Sequence, residues 1–247
     1  MKILQVADIH YTLKQLDWLG EIGGKFDLVV IAGDLLDIVS IVDLDTQILV
    51  VMKYLQRLNP EVKLIVSSGN HDLDEESESG ERYAGWMEKV RELGVPTDGD
   101  SCEVGGILFT ICPWWDGDAL KEKVEQQLAA DSEREKGRWF WVYHAPPVET
   151  KTSWDGKRDF GDTALRDWIA KYQPELVLSG HIHQAPFAKG GCWFDRIGET
   201  WIVNNGKQPG PVPAFSVIDT EERTVQWLSL AGRESLNFES GEHVVEA

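Results

Sequence analysis

Asp27-Leu28-Val29-Val30-Ile31-Ala32-Gly33-Asp34 is a continuous apolar run that stops at a glycine and a carboxylate. A β-branched run without polar alternation reads as a strand covered on both faces. Upstream, Lys2–Ala7 is a second apolar strand leading into Asp8-Ile9-His10, and Leu13–Ile22 reads as the helix between them. Downstream, Asp45–Leu58 is a helix closed by Asn59-Pro60, and Val62–Ser67 is a third strand running into Gly69-Asn70-His71-Asp72. Such βαβ alternation predicts an α/β fold with a mostly parallel core sheet and helices outside it.

The rest of the chain extends the pattern. Asp74–Gly80 is acidic and reads as a mobile loop, and Arg82–Leu93 as a helix. Ser101–Val104 and Ile107–Cys112 flank Gly105-Gly106 as a hairpin, and Asp118–Arg134 is a charged helix. Trp139–Tyr143, a helix over Thr163–Tyr172 and the strand Leu176–Ser179 follow. A β-rich end comprises Cys192–Arg196, Trp201–Asn204, Ala214–Asp219 and Thr224–Leu230. No linker or repeat divides residues 1–247, so one domain is expected, with 232–247 a polar tail prone to fraying.

Composition narrows the function. Forty-two acidic against 24 basic residues give a net charge of −18. Long nucleic acids need basic surface to replace their counterions, so this balance argues against a large nucleic-acid footprint. No apolar stretch reaches the length of a membrane span, and no signal-peptide h-region precedes the first strand. Three cysteines without Cys-x-x-Cys spacing argue against a disulfide framework, and the expected location is the cytoplasm.

Five of the six histidines fall in short clusters of metal-ligand residue types: Asp8-Ile9-His10, Gly69-Asn70-His71-Asp72, His144-Ala145-Pro146-Pro147 and Gly180-His181-Ile182-His183. Gly33-Asp34 lies between the first two. Each cluster follows a predicted strand, and ligands of α/β sheets collect beyond the strands' carboxyl ends. Imidazole and carboxylate together hold divalent transition metals. Asp8 and His10, two apart in extended backbone, would face the same way and share an ion. His181 and His183 repeat that logic, His144 adds another imidazole and Asn70 a neutral carbonyl oxygen. Asp34 has two oxygens with which to bridge ions. Two ions about 3.5–4 Å apart can clamp a phosphoryl group and activate a water. His71 is then placed to protonate the leaving alkoxide as general acid, with Asp72 orienting its ring. Gly33, Gly69 and Gly180 each precede a ligand, where a positive-φ turn would aim the next side chain inward.

In this order, Asp-x-His, Gly-Asp, Gly-Asn-His-Asp, His and Gly-His-x-His, residues 8 to 183 resemble the calcineurin-like metallophosphoesterase superfamily. The resemblance implies a four-layer α/β/β/α sandwich, two mixed β-sheets flanked by helices. It implies one ion on Asp8, His10, Asp34 and His183, a second on Asp34, Asn70, His144 and His181, and His71 as the catalytic histidine. The Ser/Thr protein phosphatases of the superfamily continue Gly-Asp-x-x-Asp-Arg-Gly, whereas this chain reads Gly33-Asp34-Leu35-Leu36-Asp37-Ile38-Val39 and lacks the arginine. The His-x-Pro-Pro run and Gly180-His181-Ile182-His183 are similar to the superfamily's small phosphodiesterases.

The expectation is therefore hydrolysis of a small phosphodiester by a metal-bound hydroxide. Phosphomonoester cleavage at the same site is the nearest alternative, ahead of a non-catalytic scaffold or a nuclease. Manganese leads among the metals, with iron, zinc, cobalt and nickel also admitted by the ligands. Asp37 reads as a support for the metal shell or a cap of the next helix, with the cap favoured. Trp114 and Trp115 are open to two readings, stacking on a substrate ring or packing. Arg158, with Lys157 and Trp154, forms either a substrate rim or a solvated loop. Oligomeric state is left open.

Overall fold

A computed structural model describes residues 1–246. The first part runs β1 (Lys2–Val6), α1 (Leu13–Ile22), β2 (Leu28–Ala32), α2 (Leu44–Leu58) and β3 (Lys63–Ser67), as the alternation predicts. A short pair, β4 (Glu75–Glu76) and β5 (Arg82–Tyr83), precedes α3 (Met87–Glu92). Next come β6 (Ser101–Val104), β7 (Ile107–Ile111), α4 (Asp118–Ser132), β8 (Arg138–Val142), α5 (Thr163–Tyr172) and β9 (Leu176–Ser179). The chain closes with β10 (Phe194–Ile197), β11 (Thr200–Asn204), β12 (Phe215–Asp219), β13 (Thr224–Ser229), β14 (Gly232–Asn237) and β15 (His243–Glu246).

Seven strands make one sheet in the order β15-β14-β13-β12-β1-β2-β3, and six make another, β10-β11-β9-β8-β7-β6. In the first, β1, β2 and β3 are parallel and β12 joins β1 antiparallel. In the second, β7, β8, β9 and β11 are parallel. Alternate residues of the central strands serve different cores, which is why those strands are apolar throughout. From β2, Leu28 and Val30 pack between the sheets with Phe109 and Phe140, while Val29 and Ile31 pack outward against Leu16, Ile48, Val51 and Leu55. From β8, Phe140 and Val142 face the inter-sheet core, while Trp139 and Trp141 face Leu128, Leu165 and Ile169. Helices therefore cover both outer faces, giving the four-layer mixed α/β sandwich. Helix α2 starts where the Asp43 carboxylate accepts from the Thr46 N–H at 2.8 Å, a cap worth about 1 kcal/mol.

Two segments depart from expectation. Residues 82–93 are not one helix: β5 pairs with β4 inside the supposed loop, and only Met87–Glu92 is helical. The cause is Trp86, buried to 1% exposure, whose indole N–H donates to the Asp72 carbonyl at 2.9 Å. That anchor draws Gly85 so close to Glu75 that a Cβ there would lie 2.3 Å from the carboxylate carbon. The polar end of the chain also departs, since β14 and β15 extend the first sheet antiparallel to β13. Leu236 and Phe238 enter the inter-sheet core and hold this end in place. No helix among the described residues is long and apolar enough to cross a membrane.

Candidate metal centre

Strands β1, β2 and β3 of one sheet, and β8 and β9 of the other, end at the same place. Asp8, Asp34, Asn70, His144 and His181 each follow one of these ends within three residues. Polar bonds fix the sheets to each other close by: Gln5 Nε2 donates to the Ser179 carbonyl at 2.9 Å, and Asn205 Nδ2 to the Gln5 carbonyl at 3.0 Å.

The candidate ligand atoms converge tightly. Asp34 Oδ2 lies 3.3 Å from His10 Nε2 and 3.1 Å from His144 Nε2. Asp8 Oδ1 lies 3.2 Å from His183 Nε2 and 3.8 Å from both His10 Nε2 and His144 Nε2. His10 Nε2 and His183 Nε2 face each other at 3.0 Å. Asp8, His10, Asp34 and His183 form one group able to hold an ion, and Asp34, His144 and His181 form another.

The donors fit divalent cations. His144 Nδ1 lies 2.7 Å from the Ala32 carbonyl, which sets Nδ1 as the N–H and turns the Nε2 lone pair to the cluster. That Nε2 and Asn70 Oδ1 are both buried with no hydrogen-bond partner among the described residues. A cation would satisfy both atoms, as buried polar groups require. Burial pushes the His181 imidazole down to about 4, with His144 adding to the effect, so it stays neutral and ready to ligate. Burial opposes charge on His144 too, but Asp34 and Asp8 outweigh it and raise that imidazole to about 9. A cation at this position would displace the proton that those carboxylates attract.

The local backbone differs from the extended one expected. Asp8, His10, Asp34 and His181 themselves adopt positive φ, at 55°, 45°, 56° and 70°. Non-glycine residues seldom take this conformation, and it gathers at functional sites. Of the three preceding glycines only Gly33 has positive φ, at 85°. Gly69 and Gly180 are required instead by space. A Cβ on Gly69 would stand 2.3 Å from Asp34 Oδ1, and one on Gly180 would stand 2.5 Å from Asp8 Oδ2.

Asp72 is not the partner of His71. Its carboxylate is fully buried and accepts the backbone N–H groups of Asp34 and Gly69 at 2.8 Å, Leu36 at 2.9 Å and Leu35 at 3.4 Å. Burial beside Asp34 raises this carboxyl to about 7, against the pull of those N–H donors. Asp72 therefore shapes the Asp34 turn. The carboxylate beside His71 is Asp37, with Oδ1 3.4 Å from Nδ1 and 4.0 Å from His10 Nδ1. The cap of α2 is Asp43, which leaves Asp37 free for this position. Burial lowers the His71 pKa, opposed by Asp34 and Asp37.

The aromatic pair divides. Trp114 lies with its ring centroid 5.1 Å from His181 and 5.8 Å from His144, and its backbone N–H donates to Ser68 Oγ at 3.0 Å. Trp115 stacks on Tyr143 at 4.0 Å and packs on Trp168, partly buried against the core. Arg158 places its guanidinium over Phe160, and its backbone N–H bonds the Asp155 carboxylate. Lys207 was not expected at the centre. Its Nζ donates to the Asp8 carbonyl at 2.9 Å and its backbone N–H to the His183 carbonyl at 3.1 Å. Burial lowers its pKa while Asp8, Asp37 and Asp34 raise it. The available signal was Asn204-Asn205-Gly206-Lys207, which follows a strand parallel to β9.

The calcineurin-like phosphoesterase family matches residues 1–185. No curated protein matches the chain. TT1561 of Thermus thermophilus superposes with a TM-score of 0.61 at 12% identity, covering 99% of this chain and 97% of that one. Purple acid phosphatase PPD1 from yellow lupin (Lupinus luteus) seeds superposes at 0.56 and 14% identity, covering 99% of this chain and 52% of that one. At these identities the likeness is one of fold.

Proposed function

The chain belongs to the calcineurin-like phosphoesterase family, and on that premise we propose that it is a dimetal hydrolase cleaving a small phosphodiester, with His71 as general acid. The observation that carries the reading is the place of Asp34, whose Oδ2 lies within 3.3 Å of imidazole nitrogens from both ligand groups. One ion would rest on Asp8, His10, Asp34 and His183, the other on Asp34, Asn70, His144 and His181. Manganese is the first ion to try, since mixed nitrogen and oxygen ligands admit several first-row metals. When bound, two such ions supply Lewis acidity and a water of lowered pKa.

The chain's own residues do the rest. Asp8 and Asp34 place their charge at the centre, and the His144–Ala32 bond fixes a ligand ring. His71 offers its proton from Nε2, because Nδ1 faces Asp37 at 3.4 Å and the Ile38 N–H at 3.3 Å. Ile38 occupies the position of the protein-phosphatase arginine and brings no cation. A singly charged diester needs less cationic help than a doubly charged monoester, which supports the diester. The net charge of −18 supports a small substrate over a polynucleotide, and three free cysteines accord with a cytoplasmic setting.

The test is a paired rate assay in added Mn²⁺ of bis(p-nitrophenyl) phosphate against p-nitrophenyl phosphate, with Asp34→Ala as the blank. Faster diester cleavage is expected. Faster monoester cleavage would replace this reading with a phosphatase.

A further inference from the structure

Beside the ligand cluster lies a cavity of about 610 Å³, a size suited to a small organic ligand. His183 and Lys207 line it together with Thr12, Gln184, Phe187 and Ala188. Phe187 is 42% exposed and offers an aromatic face. Asp155 also borders the cavity, but its carboxylate accepts the N–H groups of Lys157 and Arg158 at 2.7 Å each.

Lys207 is set between the cluster and this cavity. Two backbone-carbonyl contacts, Nζ to Asp8 and N–H to His183, hold it there. Among the described residues the half-buried ammonium has no other hydrogen-bond partner and no ion pair, so two N–H donors are left for something else. The carboxylates of Asp8, Asp37 and Asp34 favour the ammonium's charge from nearby, yet none pairs with it. In a two-metal clamp the scissile phosphate's free oxygens are engaged by the ions. What remains for Lys207 is a group on the substrate's organic arm.

We propose that Lys207 and the adjoining cavity recognise a second anionic group, a carboxylate or a phosphate, on the retained arm of a small phosphodiester. The proposal rests on the dimetal phosphodiesterase reading and names its substrate class. Lys207 supplies a point charge held in place before binding, which reduces the ordering cost of recognition.

Three diesters with one leaving group test it: methyl, carboxymethyl and 2-phosphoethyl p-nitrophenyl phosphate. With manganese-loaded wild-type protein, kcat/KM for at least one anionic arm should exceed that for the methyl ester by about tenfold or more, roughly 1.4 kcal/mol. The preferred arm distinguishes carboxylate from phosphate. Lys207→Met should bring that ratio close to one, mainly through KM, with bound manganese unchanged, and Lys207→Arg should restore most of it. Ala188→Trp, which adds bulk to the cavity wall, should lower the 2-phosphoethyl rate more than the methyl rate.

No anionic preference in the wild type, or a preference that survives Lys207→Met, would overturn the proposal. Loss of manganese in Lys207→Met would overturn it too, making Lys207 a support for Asp8. A selective loss on p-nitrophenyl phosphate would assign Lys207 to a monoester oxygen instead. If the wild type binds no metal and turns over none of these esters, the dimetal reading itself fails and takes this proposal with it.

Discussion

The Asp37 carboxylate stands beside the His71 ring, with Oδ1 3.4 Å from Nδ1, while Asp72 is spent on backbone N–H groups. His71 Nδ1 thus faces an acceptor that favours the imidazolium and a donor, the Ile38 N–H, that suits the neutral ring. Either protonation state finds a partner, and Nε2 is left to exchange the proton.

Asp37→Asn should therefore slow cleavage of esters with poor leaving groups by about tenfold or more, a part of the roughly 10²–10⁴-fold that general acid catalysis supplies. The loss should shrink for p-nitrophenolate, which departs without a proton. Rates across a leaving-group series, with metal content measured alongside, check this. An equal loss for every leaving group would remove Asp37 from proton transfer.

Asp72→Ala should act on stability first. It strips an acceptor from several backbone N–H groups, one of them Asp34's own, at a cost of about 3 kcal/mol or more. Thermal melts of metal-free protein separate this from any effect on turnover. An unchanged melting temperature would contradict the role given to the carboxylate here.

Gly180→Ala should weaken metal binding, because the new methyl group would press on the Asp8 carboxylate and on the buried Ala7 side chain beside it. A loss of about 10–100-fold in affinity is expected, similar to that from disturbing groups that orient ligands. Calorimetric titration of manganese into both proteins measures it.

Asp98 carries a pH signature. Burial raises its carboxyl to about 6, against the Ser68 N–H that donates to it at 2.8 Å. With the folded pKa above the unfolded one, the contribution is fully present below about pH 4 and is lost as pH rises through about 6. The residue is half-buried, so solvent screening reduces the effect to about 1–2 kcal/mol. Asp98→Asn should flatten that decline, as denaturant melts at pH 4, 5, 6 and 7 would show.

The strand ends and the gathering of polar residues beyond them were legible because a doubly covered strand must be apolar throughout, so its polar terminus stands out. Ala32 giving way to Gly33-Asp34 and Ser179 to Gly180-His181 are such termini. Partnership was not legible. Asp72 adjoins His71 in the chain, yet the tight Asp34 turn presents it with a set of N–H donors, a geometry that spacing does not encode. Lys207 was missed because its relevance depends on β11 running parallel to β9, and strand direction is a property of the assembled sheet. The helix expected over residues 82–93 failed because a tertiary anchor at Trp86 overrides local propensity.

The cluster straddles a seam. Asp8, His10, Asp34 and His71 rise from one sheet, while His144, His181 and His183 rise from the other. Each of the two proposed ligand sets draws on both halves, so the proposed centre would work as a gauge of how the two sheets are aligned. Substitutions deep in the interlayer packing, at Phe140 or Ile218 for example, touch no ligand, yet they can slide one half past the other. Coordination tolerates far less error than cohesion does. Mutational damage to this protein should then surface as lost metal affinity well before it surfaces as unfolding.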